Sequence, residues 1–457
     1  MSSSLTTSNE KPTDETRSRS TLVVILLGAL FCGFWLVDHT PFASEHYNPY
    51  GDVYEAENRT ADRIQKVNLI TAPARMCIAL LGIGFLFLKP VEKIRNGGLI
   101  VLTAAMFGGF LFCSIVWSVN PTISAQKFLV LACFGVAAYS LARQMKMDEL
   151  LTIFALICLG YLALGFVAEV LLGNFTPHKR DYRFVGTCHP NSLGVYSGFC
   201  CLISIVYFSY RPKLNSLLIV MFAVGILALM LTRSRTALAG FAMATAAVWF
   251  TKVNPNQRVL VISSTLLAFV VLGFAITLSP SNVRDGVAEK MAMGRTRSVQ
   301  SLTGRVPLWE QLLDSAEERP LVGHGYLAYW NKEQIEILKD SLGWEIPHGH
   351  NMYLDWLLDG GVIGLGLFLL MFGTAAFVAF YRATFQLNRH AVFVFGFLMF
   401  AFVHGFAESL FKLPTFLAFI LVTLTLKMAM TVPAEKKSVE TDQAATPRLA
   451  LLEGAAG

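Results

Sequence analysis

Long apolar runs constrain this sequence more than any other feature. They lie near residues 21–37, 67–88, 98–117, 127–142, 149–172, 191–209, 215–232, 236–251, 258–278, 352–381, 391–408 and 413–430. As a helix, each run can cross a hydrocarbon core about 30 Å thick. The sequence therefore predicts an all-α fold, a polytopic transmembrane helical bundle of about 12 spans.

The charge content agrees with this class. Only 15% of the 457 residues are charged, whereas about a quarter are charged in a soluble protein. The net charge of +6 does not indicate a nucleic-acid partner, because the basic residues lie mostly at the ends of the predicted helices. Of the eight cysteines, only Cys188 falls in a predicted loop, and no CxxC pair occurs. We therefore predict neither a disulfide framework nor a zinc site.

Lysine and arginine in the short loops predict the orientation, because cytoplasmic loops carry an excess of both. With the N-terminus inside, every inner connection holds cations. They are Lys89, Lys93, Arg95, Arg143, Lys146, Arg211, Lys213, Lys252, Arg258, Arg382 and Arg389. Both termini are predicted to be cytoplasmic, with disordered tails at 1–20 and 433–457 around a transmembrane domain at 21–432. The run at 21–37 lacks a small-residue cleavage site and is expected to stay as the first span.

The large outer loop at 279–351 is the one sizeable hydrophilic element. Apolar residues at three-to-four spacing predict a short helix at Val306–Glu318, with Pro307 in its first turn. A second helix is predicted at about Lys332–Leu342. Several cations lie on this outer side, where they are disfavoured: Lys179, Arg180, Arg183, Arg233, Arg235, Arg295, Arg297 and Arg305. An anionic partner at the outer face would explain them.

Three groups of arginines are candidates for an anion site. Arg233 and Arg235 lie at the outer end of the seventh run, and a guanidinium there can bind phosphate in a bidentate manner or can snorkel to the interface. Arg305 is expected at a helix start, where free N–H groups favour anions; it can also be a solvated loop residue. Arg183 precedes the sixth run, which Asn191 is predicted to cap.

Histidines supply the candidate acid–base chemistry. His348 and His350 come just before Asn351, a predicted N-cap for the tenth run. The helix dipole there keeps an imidazole neutral, as a general base requires. A structural histidine and a metal pair remain alternatives, although no third ligand is evident nearby. His404 and Glu408, near the outer end of the eleventh run, are either functional or hold helices together.

The order of these motifs resembles the O-antigen ligase and O-antigen/exopolysaccharide polymerase superfamily over about 215–380. That superfamily has a Thr-x-Ser-Arg element after a leucine-rich span, a periplasmic Gly-Arg…Trp element, Arg-Pro…Gly-x-Gly, and His-Asn before Gly-Gly-x-x-Gly. The matching residues here are Thr232 to Arg235, Gly304, Arg305 and Trp309, Arg319, Pro320 and Gly323 to Gly325, and His350, Asn351 and Gly360 to Gly364. The combination is more specific than any single motif.

The resemblance implies an inverting, metal-independent glycosyltransferase without a cofactor, at the periplasmic face of the bacterial inner membrane. The donor would be a glycan on undecaprenyl diphosphate, and the acceptor a glycan or a lipid A core, in surface polysaccharide biosynthesis. Arg235 and Arg305 would bind the diphosphate, and His350 would act as the base or position the acceptor. Arg183 matches the family's Arg-Phe-x-Gly loop. The other residues expected to bind substrate are Arg233, His348, Trp309, His404 and Glu408.

Other functions stay as alternatives. A lipid-linked glycan flippase would place polar residues at mid-membrane and carry internal repeats, and no repeat is evident. A scaffold or sensor would carry a folded cytoplasmic output domain. Among glycosyltransferases, ligation, polymerisation and protein O-glycosylation share the same motifs. The sequence also leaves open the sugar, the linkage, the acceptor, the oligomeric state, and whether Arg233 or Arg235 faces the site.

Overall fold

The computed structural model describes residues 14–38, 74–87, 90, 98–179, 182–208, 210, 212–258, 299–343, 346, 348–412 and 414–431. Within these ranges the fold is helical and has no β-strand. The all-α prediction is therefore confirmed for this part of the chain. Outside the described residues lie 259–278 of the ninth apolar run, Arg180, Arg295 and Arg297.

Thirteen α-helices of the described chain carry the argument below. They are α1 Asp14–Asp38, α2 Ala74–Leu86, α3 Leu99–Cys113, α4 Pro121–Gln144, α5 Met147–Leu171, α6 Pro190–Tyr207, α7 Asn215–Leu231, α8 Arg235–Lys252, α9 Val299–Glu318, α10 Lys332–Leu342, α11 Met352–Phe385, α12 Arg389–Gly405 and α13 Phe416–Met430. A short 3₁₀ turn, Pro212–Leu214, leads into α7.

Length and composition qualify five helical segments as membrane spans. They are Pro121–Gln144, Met147–Leu171, Pro190–Tyr207, Pro212–Leu231 and Met352–Phe385. Shorter apolar helices accompany them at Val24–Leu36, Ala74–Leu86, Leu99–Cys113, Arg389–Gly405 and Phe416–Met430. The chain is thus a helical membrane protein, while the count of twelve spans and the sidedness stay predictions.

Helix α12 lies at the centre of the bundle and packs against α6, α8 and α11. Its Phe400 fills the space over Gly198 of α6 and Gly240 of α8, where an added Cβ would lie 2.6 Å and 3.1 Å from the ring. Small residues of this kind let membrane helices approach closely. The close packing brings the first residues of α6 and α8 next to the last turn of α12.

Two helix boundaries differ from the sequence prediction. Helix α1 begins at Asp14, so the end of the tail predicted to be disordered is helical. Helix α9 begins at Val299, so Pro307 lies inside the helix and not in its first turn. The missing N–H of Pro307 removes one helical hydrogen bond, and the helix tolerates it. Helix α10 has the predicted bounds, Lys332–Leu342.

A backbone joint fixes the hydrophilic segment to the start of α11. Gly361 interrupts that helix with φ 60°, and an added Cβ would lie 2.3 Å from the Leu321 carbonyl carbon. The backbone N–H groups of His324 and Gly325 donate to the carbonyls of Leu358 and Asp359 at 2.8 Å and 2.9 Å. The Gly-x-Gly element at 323–325 therefore packs directly against the Gly-Gly element at 360–361.

Candidate active site

Glu408 is the centre of a polar cluster at one end of the bundle. It follows α12 and is 2% exposed. Its Oε1 accepts hydrogen bonds from Nη2 of Arg305 at 2.9 Å and from the amide of Asn191. Its Oε2 lies 3.5 Å from Nδ1 of His350. Three distant parts of the chain therefore meet at one carboxylate.

Arg305 enters this cluster from the middle of α9. Its Nη1 donates to the Ala407 carbonyl at 2.8 Å, beside its ion pair with Glu408. The side chain is 25% exposed and so remains reachable from outside. The expectation that Arg305 sits at a helix start is wrong, because α9 begins at Val299. An anion at this position would therefore be bound by the guanidinium itself and not by free helix N–H groups.

Trp309 lies one turn after Arg305 and holds the histidine loop. Its indole N–H donates to the Gly349 carbonyl at 2.9 Å. Residues four apart lie on the same face of a helix. One face of α9 therefore positions both the arginine and the loop that carries His348 and His350.

His350 stands immediately before α11. The Asn351 side chain accepts from the N–H groups of Tyr353 and Leu354, which confirms the predicted N-cap. His350 has φ 47°, a left-handed conformation that is uncommon outside glycine. Its backbone N–H donates to Nδ1 of His348 at 3.2 Å, and the two rings are 4.2 Å apart. The strained backbone turns the His350 ring towards Glu408.

Asn191 connects the site to two other turns of the chain. The prediction that it caps α6 is wrong: His189 is the N-cap, and its ring accepts from the Asn191 N–H. The Asn191 side chain is thereby free to accept from Arg183 at 2.9 Å and from Ser234 at 2.8 Å, and to donate to Glu408. Sequence reasoning missed this role; the amide directly after His189 and Pro190 was its only signal.

Arg183 contributes to the site through its neighbours. Its Nε donates to the Thr232 carbonyl at 2.8 Å, and it is bonded to Asn191. Buried Glu169 of α5 fixes the Arg183 loop by accepting from the N–H groups of Val185 and Gly186 at 2.7 Å and 2.8 Å. Glu169 was also missed, although an acidic residue inside an apolar run was a usable signal.

Arg233 and Arg235 flank the Ser234 N-cap of α8. Arg233 has φ 47°. Arg235 is the first residue of α8, half-buried, and near enough to Arg305 for the two charges to repel. Within the described residues no hydrogen bond or ion pair engages the Arg235 side chain. The pair of Arg235 and Arg305 is therefore suited to bind an anion between them.

Burial controls the protonation of the histidines around Glu408. Burial lowers the pKa of His348 to about 4, with a smaller contribution from the charge of His350. Burial likewise lowers the pKa of His189 to about 4, and the negative charge of Glu408 opposes it. Burial would raise the pKa of Glu408, but His350 and Arg305 hold it well below its usual range. At neutral pH the cluster thus contains an ionised Glu408 and neutral His189 and His348.

The remaining predicted residues lie around this core. His404, in the last turn of α12, is fully buried between Phe400 and Phe411, with ring centroids 6.0 Å and 5.9 Å away. Neither ring nitrogen of His404 has a hydrogen-bond partner among the described residues. His404 therefore lies behind the site and not at its surface.

One set of donors could also hold a metal ion. His348, His350 and Glu408 each offer a ligand atom, and these atoms lie within 4.8 Å of one another. The expectation that no third ligand lies near the two histidines is therefore wrong. Three nitrogen and oxygen ligands are what a catalytic zinc site provides. The absence of a metal stays a prediction.

Comparison with known proteins agrees with the motifs. Residues 219–369 match the family described as O-antigen ligase. Over 124 residues the chain is 32% identical to the exopolysaccharide production protein ExoQ of Rhizobium meliloti (strain 1021), covering 26% of this chain and 28% of that protein. Over 288 residues it is 23% identical to the O-antigen ligase of Pseudomonas aeruginosa (strain PAO1), covering 61% of this chain and 65% of that protein.

These matches span less than two thirds of either relative. The matched family segment contains most of α7, all of α8, α9 and α10, and the histidine loop, while Arg183, Asn191 and Glu408 lie outside it. The sequence motifs, the helical membrane fold and the matched segment agree, and together they support the O-antigen ligase superfamily for this chain.

Proposed function

We propose that this protein is an inverting, metal-independent glycosyltransferase of the bacterial inner membrane. It moves or polymerises a glycan carried on undecaprenyl diphosphate, at the periplasmic face, in surface polysaccharide biosynthesis. The observation that carries the proposal is the contact of Arg305 and His350 with one buried carboxylate, Glu408, beside the unengaged Arg235.

The diphosphate of the donor binds between Arg235 and Arg305. Two guanidinium groups that repel each other are stabilised by an anion placed between them. Arg305 is partly exposed, and the N–H groups of its guanidinium that do not bind Glu408 or the Ala407 carbonyl donate to a phosphate oxygen. As the bond between the sugar C1 and the phosphate oxygen breaks, negative charge develops on the diphosphate. Fixed guanidinium groups stabilise that charge without reorganising.

His350 takes the proton from the attacking hydroxyl of the acceptor. The hydroxyl oxygen forms a bond to C1, the C1–O bond to the diphosphate breaks, and undecaprenyl diphosphate leaves. Glu408, 3.5 Å from Nδ1 of His350, stabilises the imidazolium that forms. This is the role of the carboxylate in a nucleophile–base–acid triad.

The position of Glu408 supports inversion of configuration. A retaining mechanism needs a carboxylate that attacks C1. Glu408 is 2% exposed and is bonded to both Arg305 and Asn191. A carboxylate held in this way orients other groups and is poorly placed to attack a sugar. Direct attack by the acceptor hydroxyl then gives inversion in one step.

The test measures glycan transfer by the purified protein from a polyprenyl-diphosphate-linked donor. We expect Arg305→Ala and His350→Ala to lose transfer and to keep expression and membrane insertion. The matched controls are Lys332→Ala, an exposed cation on α10, and His178→Ala, an exposed histidine, both of which should retain activity. Full activity in both site variants would overturn the assigned roles.

Three further measurements separate the alternatives. Transfer that survives exhaustive chelation supports the metal-free mechanism, whereas complete loss that zinc restores supports a metal at His348, His350 and Glu408. In a deletion strain, surface glycans of a single repeat unit indicate a polymerase, and long chains left on the lipid carrier indicate a ligase. Loss of lipid translocation without loss of transfer would favour a flippase.

A further inference from the structure

A second buried polar cluster lies directly behind the site. Asp355 and Asp359 of α11 are 1% and 0% exposed, and Ser409 and Lys412 after α12 are 1% and 4% exposed. Buried charges are costly unless they are paired, and even a paired cluster adds little stability compared with apolar packing. The contacts of this cluster indicate a role in holding the groups of the site.

The Asp355 carboxylate joins the two loops that carry the site. Its Oδ1 accepts from the Gly349 N–H at 3.0 Å and from the Trp330 indole at 3.1 Å. Its Oδ2 accepts from the Ser409 hydroxyl. Gly349 directly precedes His350, and Ser409 directly follows Glu408. The Asp355 side chain therefore binds both Gly349, the neighbour of His350, and Ser409, the neighbour of Glu408.

Lys412 fixes the position of Asp355 and of the first turns of α11. Its ammonium donates to the Asp355 carbonyl at 2.9 Å and forms an ion pair of 2.8 Å with Asp359. It also lies 5.0 Å from the centre of the Trp356 ring. The residues after Glu408 are thereby bound to the first turns of α11, which begin just after His350.

Close packing leaves little freedom in the loop that carries His350. An added Cβ at Gly349 would lie 2.8 Å from Oδ1 of Asp355. The Gly349 carbonyl is bonded to Trp309 of α9. The backbone that carries His350 is therefore clamped between Asp355 and Trp309.

We propose that Asp355, supported by Lys412 and Asp359, is a positioning residue that sets the distance between the His350 imidazole and the Glu408 carboxylate. This inference rests on the proposed function, because the pair matters only if His350 moves a proton. Asp355 does not touch the substrate. It acts through Gly349 on one side and Ser409 on the other.

The test uses Asp355→Asn and Ser409→Ala in the full-length protein, reconstituted in lipid nanodiscs. Asn keeps an acceptor for the Gly349 N–H but loses the carboxylate oxygen that binds Ser409, and both changes are small enough to preserve the fold. Misplacing a reacting group by about 1 Å lowers a rate by about 100-fold. We expect kcat to fall about 10- to 100-fold, and KM for the lipid-linked donor to stay within about two-fold because Arg235 and Arg305 are unchanged.

Ser204→Ala is the matched control. Ser204 is a buried serine of α6 whose hydroxyl donates to the Cys200 carbonyl of its own helix, away from the site. This control should keep the wild-type kcat. A purely structural role for Asp355 would change the thermal unfolding temperature and the amount of folded protein, while kcat per folded molecule stayed at the wild-type value; that result would overturn the inference.

A double variant tests the connection to Glu408. Once Glu408→Gln removes the carboxylate, its spacing from His350 no longer matters, so adding Ser409→Ala should lower kcat little further. Full multiplication of the two losses would overturn the inference, because it would mean that Ser409 acts independently of Glu408.

The same experiment distinguishes the two proposals. If His350→Ala is inactive while Asp355→Asn and Ser409→Ala match Ser204→Ala, only the positioning role fails. If His350→Ala keeps full activity, the proposed function fails, and the positioning role is overturned with it.

Discussion

Acid should destabilise this protein through two histidines beside the site, His189 and His348. Burial lowers the pKa of His189 and of His348 from 6.5 to about 4 in the folded protein. In the unfolded chain each imidazole regains its ordinary pKa and binds a proton below about pH 6.5. Unfolding therefore takes up protons between pH 6.5 and about 4, and stability falls as the pH falls through this window.

The size of the effect follows from the displacement of each pKa. For His348, a change from 6.5 to about 4 corresponds to at most roughly 3 kcal/mol, whereas the exposed side chain of His189 is screened by solvent and contributes less. The contribution of His348 alone is a large share of the free energy of unfolding of a marginally stable domain, about 5–15 kcal/mol. The lowered pKa of Glu408 also makes stability fall with falling pH, but at lower pH values than the histidines do. Its contribution is present above its ordinary value of 4.5 and is lost only as the pH falls below it.

The assay is thermal unfolding of the protein in nanodiscs from pH 7 to pH 4 at constant ionic strength. His189→Asn and His348→Asn remove the titrating ring and keep a side-chain acceptor, which each histidine provides through Nδ1 to a neighbouring backbone N–H. We expect each variant to lose part of the pH dependence over this window, roughly 3 kcal/mol for His348→Asn and less for His189→Asn. His178→Asn, at an exposed position, should keep the wild-type slope.

Either of two results would refute this reasoning. The first is an unfolding temperature of the wild type that stays constant between pH 6.5 and pH 4. The second is a pair of asparagine variants that lose stability as steeply as the wild type does.

Three other predictions concern the arginine, the backbone joint and the Arg183 loop. Arg235→Ala should lower kcat/KM for the lipid-linked donor by about 100-fold in a transfer assay, and Arg235→Lys should recover only part of it, because lysine cannot bind phosphate in a bidentate manner; equal activity of all three proteins would contradict the diphosphate role. Gly323→Ala should destabilise the fold by at least about 2 kcal/mol in thermal unfolding, since its φ is 65° and the new Cβ would lie 2.5 Å from backbone atoms of α11. Gly343→Ala is the matched control, with φ 77° and open space, and should lose only about 1 kcal/mol; equal losses would mean that the joint is not tight. Glu169→Gln should lower kcat about 10-fold, because an amide cannot accept all the donors that the carboxylate accepts; an unchanged kcat would separate this loop from catalysis.

Local signals in the sequence predicted much of this molecule. The apolar runs predicted the helices, because a segment in lipid must satisfy its own backbone hydrogen bonds. The Asn351 cap and the bounds of Lys332–Leu342 were also correct, since caps and periodicity depend on neighbouring residues alone. The arginine, histidine and glycine motifs were sufficient to indicate the superfamily.

Contacts between distant residues required the tertiary structure. Glu408 is 217 residues from Asn191 and 103 from Arg305 along the chain, and no local pattern relates them. The prediction for Asn191 failed for this reason: His189 provides the cap, so the amide is available to the cluster. Pro307 favoured a helix that starts beside it, yet α9 extends through it and places Arg305 in mid-helix.

The sequence by itself thus determined which segments form apolar helices and which residue types stand at their ends. Those properties follow from short-range hydrogen bonding and from the transfer of apolar side chains into lipid. Only the packing of α12 against α6, α8 and α11 decided that Glu408 pairs with Arg305 and His350, and that Asp355 stands behind them. The physical reason is that a buried charge takes whichever partners the helix packing brings within reach, and that packing is a property of the whole chain.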